Sequence, residues 1–166
     1  MTTSVSEAPE MNPLRESRYK AVSKEILSVV AGEPDVIARM ASAASLLHHA
    51  FDKFLWTGFY LVDQTDPKEL VIGPYQGTLG CLRIPFGKGV CGAAAETGTV
   101  QIVKDVHAFS GHIACDARSN SEIVIPVRNP NGDLIAVLDI DSEQFGDFDE
   151  VDAHGLQSIV DAVFSD

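Results

Sequence analysis

The sequence predicts an α+β fold, a central antiparallel β-sheet with helices packed on it. Three observations predict it. Apolar residues recur at helical spacing in two stretches near the N-terminus. From Phe54 onward, short aromatic and β-branched runs alternate with Gly, Pro, Asn and Asp, the pattern of a strand meander. A last helical stretch closes the chain, so helices flank the strands rather than alternate with them. At 166 residues and 45% hydrophobic content, the chain suits one domain whose core needs no disulfide or metal to form.

The elements follow in order. The first ~12 residues are polar and read as a loose tail, which sets residues 1–15 as a flexible tail and 16–166 as a single domain. A helix is predicted from Glu16 to Ala31, with Ala21, Ile26, Val29 and Val30 as its apolar side and Gly32 as its stop. Pro34 opens a second helix through His49, with Val36, Ile37, Met40, Ala44 and Leu47 as its core stripe. His48 and His49 suit the negative end of its dipole and read as structural.

Phe54 to Val62 and Glu69 to Tyr75 form a hairpin turned at Gln64, Asp66 and Pro67. Cys81 to Pro85 is a third strand, Val90 to Thr97 a short helix ended by Gly98, and Val100 to Val103 a fourth strand. Asp105 to Asn120 is irregular, as functional loops are. Glu122 to Val127 and Leu134 to Ser142 pair across Asn129 to Asp133, where Asn131-Gly132 signals a tight turn. Phe148 to Phe164 is the final helix. No internal repeat and no low-complexity segment appears.

Composition excludes several function classes. Lys and Arg number 12 against 24 Asp and Glu, a formal net charge of -12. That field repels nucleic-acid phosphates and anionic membrane surfaces. No apolar run approaches the ~18 residues of a membrane span, and Met1 to Asn12 lacks the apolar core of a signal peptide. A cytoplasmic location is expected, where thiols stay reduced and three cysteines are not structural disulfides.

The second hairpin carries the strongest chemical signal. A two-residue turn at Asn131-Gly132, or a four-residue loop centred there, sets Glu122 opposite Asp141 and Val124 opposite Asp139. Strand alternation then gathers Glu122, Asp139 and Asp141 on one side of the sheet, with Ile135 and Val137 beyond them. Like charges face to face are destabilising, so the cluster reads as a pocket wall, with a solvated outer face as the alternative. A one-residue slip or bulge would undo this geometry. Trp56, Gly58 and Tyr60 alternate onto one face of the first strand and leave a gap between two rings, suited to a thioether methyl or to plain packing.

Each cysteine alone is compatible with a small core residue. Cys91 lies in the first turn of the short helix, near Lys88, where the dipole lowers a thiol pKa, so local electrostatics favour it as the nucleophile. Cys115 lies in the irregular loop, and Cys81 follows Gly80 with nothing to activate it. Zinc on the three cysteines with His107 or His112 was weighed, but no Cys-x-x-Cys spacing exists, and no metal is expected. There is no Gly-x-Ser-x-Gly elbow, P-loop or Gly-x-Gly-x-x-Gly fingerprint.

Taken together, Trp56–Leu61, Gly73–Gly77, Ile84–Gly92, Asp105–Asp116, Ser121–Val124 and Leu138–Ser142 resemble the free methionine-(R)-sulfoxide reductases, a GAF-domain family. The likeness runs in order from Arg18 to Val163, and all three cysteines and all three carboxylates fall inside it. The resemblance implies a GAF fold, a homodimer, free methionine-(R)-sulfoxide as substrate, no bound cofactor, and thioredoxin (NADPH-linked) as external reductant. By position it makes Cys115 the attacking thiol, Cys81 its resolving partner and Cys91 a further redox-active thiol, against the electrostatic preference for Cys91. It makes Glu122, Asp139 and Asp141 the substrate-holding acids and Trp56 and Tyr60 the cage around the methyl group.

That assignment is chemically coherent. A thiolate attacks the sulfoxide sulfur, and the oxygen leaves once an acid such as Glu122 protonates it. Crowded carboxylates repel one another, so at least one keeps its proton near neutral pH. The remaining charge suits a free ammonium group, which a methionine inside a peptide lacks. The rival expectation is a sensory GAF module that binds a small molecule without catalysis.

Overall fold

The structure is a computed structural model and describes residues 11–113 and 115–166. The expected tail therefore lies, over residues 1–10, outside the described residues. Helices α1 (Met11–Val29) and α2 (Val36–Ala50) precede strands β1 (Trp56–Val62), β2 (Glu69–Gln76) and β3 (Arg83–Pro85). Helix α3 (Gly89–Thr97), β4 (Gln101–Val103), a 3-10 turn (Val106–Ala108), β5 (Ser121–Arg128), β6 (Leu134–Ser142) and α4 (Glu150–Val163) complete the chain. The predicted element order and the α+β class hold.

The strands form one sheet in the order β3-β2-β1-β6-β5-β4, antiparallel throughout. Alternation gives the sheet two faces. Phe59, Ile123, Ile125, Leu138 and Ile140 bury in the main core under α2 and α4, on which α1 packs. Trp56, Tyr60, Val124 and Val137 point the other way, toward α3 and the loops, with Val90 and Cys91. Each large apolar side chain withdrawn from water on the helix face contributes roughly 1.5–3 kcal/mol, so stability rests mainly there and the opposite face is available for polar groups.

Three expected stripes shift. In α1 the buried residues are Tyr19, Val22 and Ile26, with Val30 just beyond, while Ala21 and Val29 are exposed. This is the i, i+3, i+7 row of a helix packed on α2 and α4. The helix begins at Met11, before the predicted Glu16. In α2, Val36 and Ile37 are exposed. Met40, Ala43, Ala44 and Leu47 are buried. Asp35, rather than Pro34, opens α2, its side chain accepting from the Ala38 N–H at 2.9 Å.

Asp152, wholly buried in α4, ties the N-terminal helix down. It accepts from Tyr19 at 2.7 Å, Arg15 at 3.0 Å and Lys53 at 3.2 Å. The cation pair offsets the desolvation of its carboxylate. Burial, with Asp152 beside it, pushes the Tyr19 phenol far above its ordinary value.

The β5–β6 hairpin departs from the predicted two-residue turn. Its loop is residues 129–133, closed by Asn129 N–H to Asp133 O at 3.0 Å, with Gly132 at φ 86. Arg128 therefore faces Leu134, a pairing that alone would carry Glu122 opposite Ile140. A register shift between Val127 and Arg128 leaves Ile135 unpaired and restores the predicted partners. From Val127 onward Glu122 faces Asp141 and Val124 faces Asp139. The irregularity expected to undo the acidic cluster is what assembles it. It also turns Ile135 toward the helix-side core, off the acidic side where the sequence had set it.

Candidate functional site

The site is built on β1, β6 and β5, three adjacent strands. Trp56 pairs with Asp141, Gly58 with Asp139 and Tyr60 with Val137, so the aromatic and acidic faces coincide. Glu122 is 7% and Asp139 6% exposed. Together with Asp141 they line a cavity of about 40 Å³, which Trp56, Tyr60, Cys91 and Cys115 also line. The acidic cluster is thus a pocket wall, as expected. A larger groove of about 650 Å³ runs between α1 and α4 and holds no thiol.

Burial dominates the electrostatics. It pushes the Glu122 carboxyl well above its ordinary value, with Asp139 and Asp141 adding repulsion. Burial and Asp139 do the same to Asp141, against a hydrogen bond from the Ser119 hydroxyl at 2.7 Å. Asp139 rises only to about 6, because hydrogen bonds from Glu122 and Cys91 favour its charged form. At neutral pH Asp139 is therefore the anion of the cluster, and Glu122 holds a proton directed at it. Asp139 Oδ1 is buried with no hydrogen-bond partner among the described residues.

Cys91 reverses the electrostatic expectation. It sits in the first turn of α3, as predicted, but is 3% exposed. Its Sγ lies 3.8 Å from Glu122 Oε1. Burial, then Asp139 and Glu122, push its pKa well above the ordinary thiol value, outweighing the helix dipole. Local sequence shows the helix start but not the carboxylates that β5 and β6 bring beneath it. Cys91, Glu122 and Asp139 offer ligand atoms all within 4.8 Å of one another.

Cys81 and Cys115 form a disulfide, with Cα atoms 5.4 Å apart across 34 residues of sequence. Cys81 lies in the loop before β3, not in the strand, and Cys115 is exposed. The same two loops meet a second time. Thr78 Oγ1 donates to Asp116 Oδ2 at 2.6 Å, and Thr78 O accepts from the Trp56 indole N–H at 2.8 Å. Arg118 and Thr78 hold the Asp116 carboxyl well below the usual range. Because Cys81 and Cys115 are bonded to each other and Cys91 is free, the three do not form the zinc set weighed from sequence.

The aromatic pair differs in detail from expectation. Trp56 and Tyr60 stack at 5.7 Å, and Trp56 stacks on Tyr75 at 5.2 Å. The indole leans over Gly58, where a Cβ would stand 2.5 Å from it, so the glycine admits the ring rather than leaving a gap. Gly80 lies as close to the Tyr60 hydroxyl, 2.8 Å from a virtual Cβ. Ser119, Thr78 and Asp116 are site residues that the sequence reading missed. Their only local signal was membership of polar loops.

A GAF-type sheet with a disulfide-bonded cysteine pair above buried acids defines the class. Residues 33–163 match the GAF domain family, and the chain belongs to it. Within that family it is homologous to enzymes. It is 45% identical over 142 residues to the free methionine-R-sulfoxide reductase of Escherichia coli (strain K12), spanning 86% of this chain and 84% of that protein. The enzyme of the same name from Saccharomyces cerevisiae is 40% identical over 132 residues, 77% of this chain and 73% of its own. The solved structure of free methionine-R-sulfoxide reductase from Neisseria meningitidis in complex with its substrate superposes with a TM-score of 0.85 at 44% identity. It covers 98% of this chain and 92% of that one. No helix among the described residues is long and apolar enough to cross a membrane.

Proposed function

We propose that this chain reduces free L-methionine-(R)-sulfoxide to L-methionine. The observation that carries the reading is the Cys81–Cys115 disulfide at the exposed rim of a pocket walled by two buried carboxylates, Glu122 and Asp139, and the half-buried Asp141. Similarity to the reductases supports it.

In this reading the substrate ammonium sits on Asp139, whose Oδ1 lacks a partner. The methyl group lies against Trp56 and Tyr60. The Cys115 thiolate attacks the sulfoxide sulfur, and Glu122 gives its proton to the departing oxygen. The protonated oxygen passes from the substrate sulfur to the Cys115 sulfur as the transient bond between the two sulfurs breaks, so methionine leaves and Cys115 carries the oxygen as a sulfenic acid. The Cys81 thiol displaces it as water and closes the disulfide. A dithiol, thioredoxin in this proposal, then opens that bond in exchange for its own oxidation. Cys91, buried and protonated, serves as a wall of the pocket rather than as the attacking group. A homodimer, a cytoplasmic location and the absence of a bound cofactor complete the proposal on the strength of the family resemblance.

The test is NADPH consumption with thioredoxin and thioredoxin reductase. Free L-methionine-R-sulfoxide is expected to turn over, and its S epimer and N-acetylated form are not. Turnover of the acetylated form would remove the ammonium role of the acids. No turnover by folded, reduced protein would favour a sensory module.

A further inference from the structure

Cys91, Glu122 and Asp139 come from three separate elements, α3, β5 and β6, yet their ligand atoms converge within 4.8 Å. In a tetrahedral zinc site, Zn–S of about 2.3 Å and Zn–O of about 2.0–2.2 Å set sulfur and oxygen about 3.6 Å apart. Cys91 Sγ stands 3.8 Å from Glu122 Oε1. Asp139 Oδ1, in a residue 6% exposed, has no partner among the described residues and lines the same cavity. One sulfur and two carboxylates suit zinc, whereas magnesium and calcium call for all-oxygen shells of six or more ligands.

We propose that Cys91, Glu122 and Asp139 form a zinc-binding site inside the pocket, with the fourth position left to an exchangeable water. The zinc site does not depend on the reductase reading. One consequence does: Asp139 is shared with the proposed ammonium seat, so zinc and free methionine sulfoxide exclude each other.

The disulfide form is the right material, because Cys91 is then the free thiol and the other two cysteines cannot chelate. Zinc is titrated against a chromophoric chelator, with magnesium in excess. One zinc per chain is expected, bound at least tenfold more weakly by Cys91→Ala and by Asp139→Asn. In unmutated protein, zinc is expected to protect Cys91 from alkylation under mild denaturant, a readout independent of how the variants fold. Unprotected Cys91, or equal affinity in wild type and both variants, overturns the site. Free methionine sulfoxide is expected to weaken the apparent zinc affinity. Zinc binding untouched by it would overturn the shared role of Asp139. A chain that binds zinc but turns over no sulfoxide would keep the site and reject the reductase reading.

Discussion

Glu122 and Asp141 face each other across β5 and β6, two carboxylates in direct register inside the protein. Such a pair costs stability when charged, and the cost falls on both partners and on Asp139 between them.

Stability should therefore depend on pH in a stated direction. The Asp139 carboxyl titrates near 6 in the fold and near its ordinary value of about 3.9 unfolded. Between those limits the folded chain keeps a proton that the unfolded chain loses, so stability falls as pH rises through the window. Asp139→Asn removes this dependence. Relative to wild type it should gain on the order of 2–3 kcal/mol on going from about pH 4 to about pH 7. Denaturant unfolding at both pH values measures it, and a difference that stays flat would refute the raised carboxyl.

The cysteines should separate by role. Cys115→Ser is expected to abolish sulfoxide turnover. Cys81→Ser should release one methionine per chain and then stop, with a sulfenic acid trapped on Cys115. Rapid-quench product analysis with a sulfenic-acid probe distinguishes the two. Multiple turnovers by Cys115→Ser would reassign the nucleophile.

Ser119 donates the hydrogen bond that favours the charged form of Asp141. Ser119→Ala leaves a half-buried carboxyl oxygen without that donor, at roughly 1 kcal/mol. If Asp141 helps hold substrate, KM should rise about tenfold with kcat changed less. An unchanged KM would leave Ser119 with a folding role alone.

Thr78 and Asp116 join the two cysteine loops without help from the disulfide. Thr78→Val should slow closure of the disulfide several-fold after a single turnover and leave the first release of methionine intact. Stopped-flow thiol titration reads both steps. Equal closure rates would mean that the loops meet by other contacts.

A glycine prediction concerns the aromatic wall. A Cβ at position 58 would stand 2.4 Å from that of Tyr75 and 2.5 Å from the Trp56 indole. Gly58→Ala must displace the ring and should lower both thermal stability and turnover, the latter by tenfold or more. Wild-type activity in this variant would show that the indole position is unimportant.

Alternation made much of this legible. The period-two pattern of Leu134 to Ser142 pairs Glu122 with Asp141, but the pairing holds only because a longer loop and a bulge that the pattern does not show cancel each other. Trp56 and Tyr60 fell on the same face for the same reason. What stayed hidden depended on distance along the chain. The Cys91 environment is set by Glu122, 31 residues further along the chain, and by Asp139 on the strand after it, and no helix-start rule contains them. Thr78 and Asp116 meet across 38 residues, and Asp152 gathers Arg15, Tyr19 and Lys53 from the far end of the sequence. The α2 stripe differs at Val36 and Ile37 because period alone does not tell which turns of a helix are covered.

The unpaired Ile135 divides a turn that is free to vary in length from strands that are not. The tip at Asn129–Asp133 is exposed and, by position alone, is where insertions are tolerated. Residues added there lengthen the loop and leave the paired strands in register. The strand beyond the bulge has no such freedom. One residue added between Ala136 and Asp139 would set Asp139 and Asp141 out of phase with Glu122, which β1 and β5 hold from either side. Length variation should therefore gather at the tip and stop at the bulge.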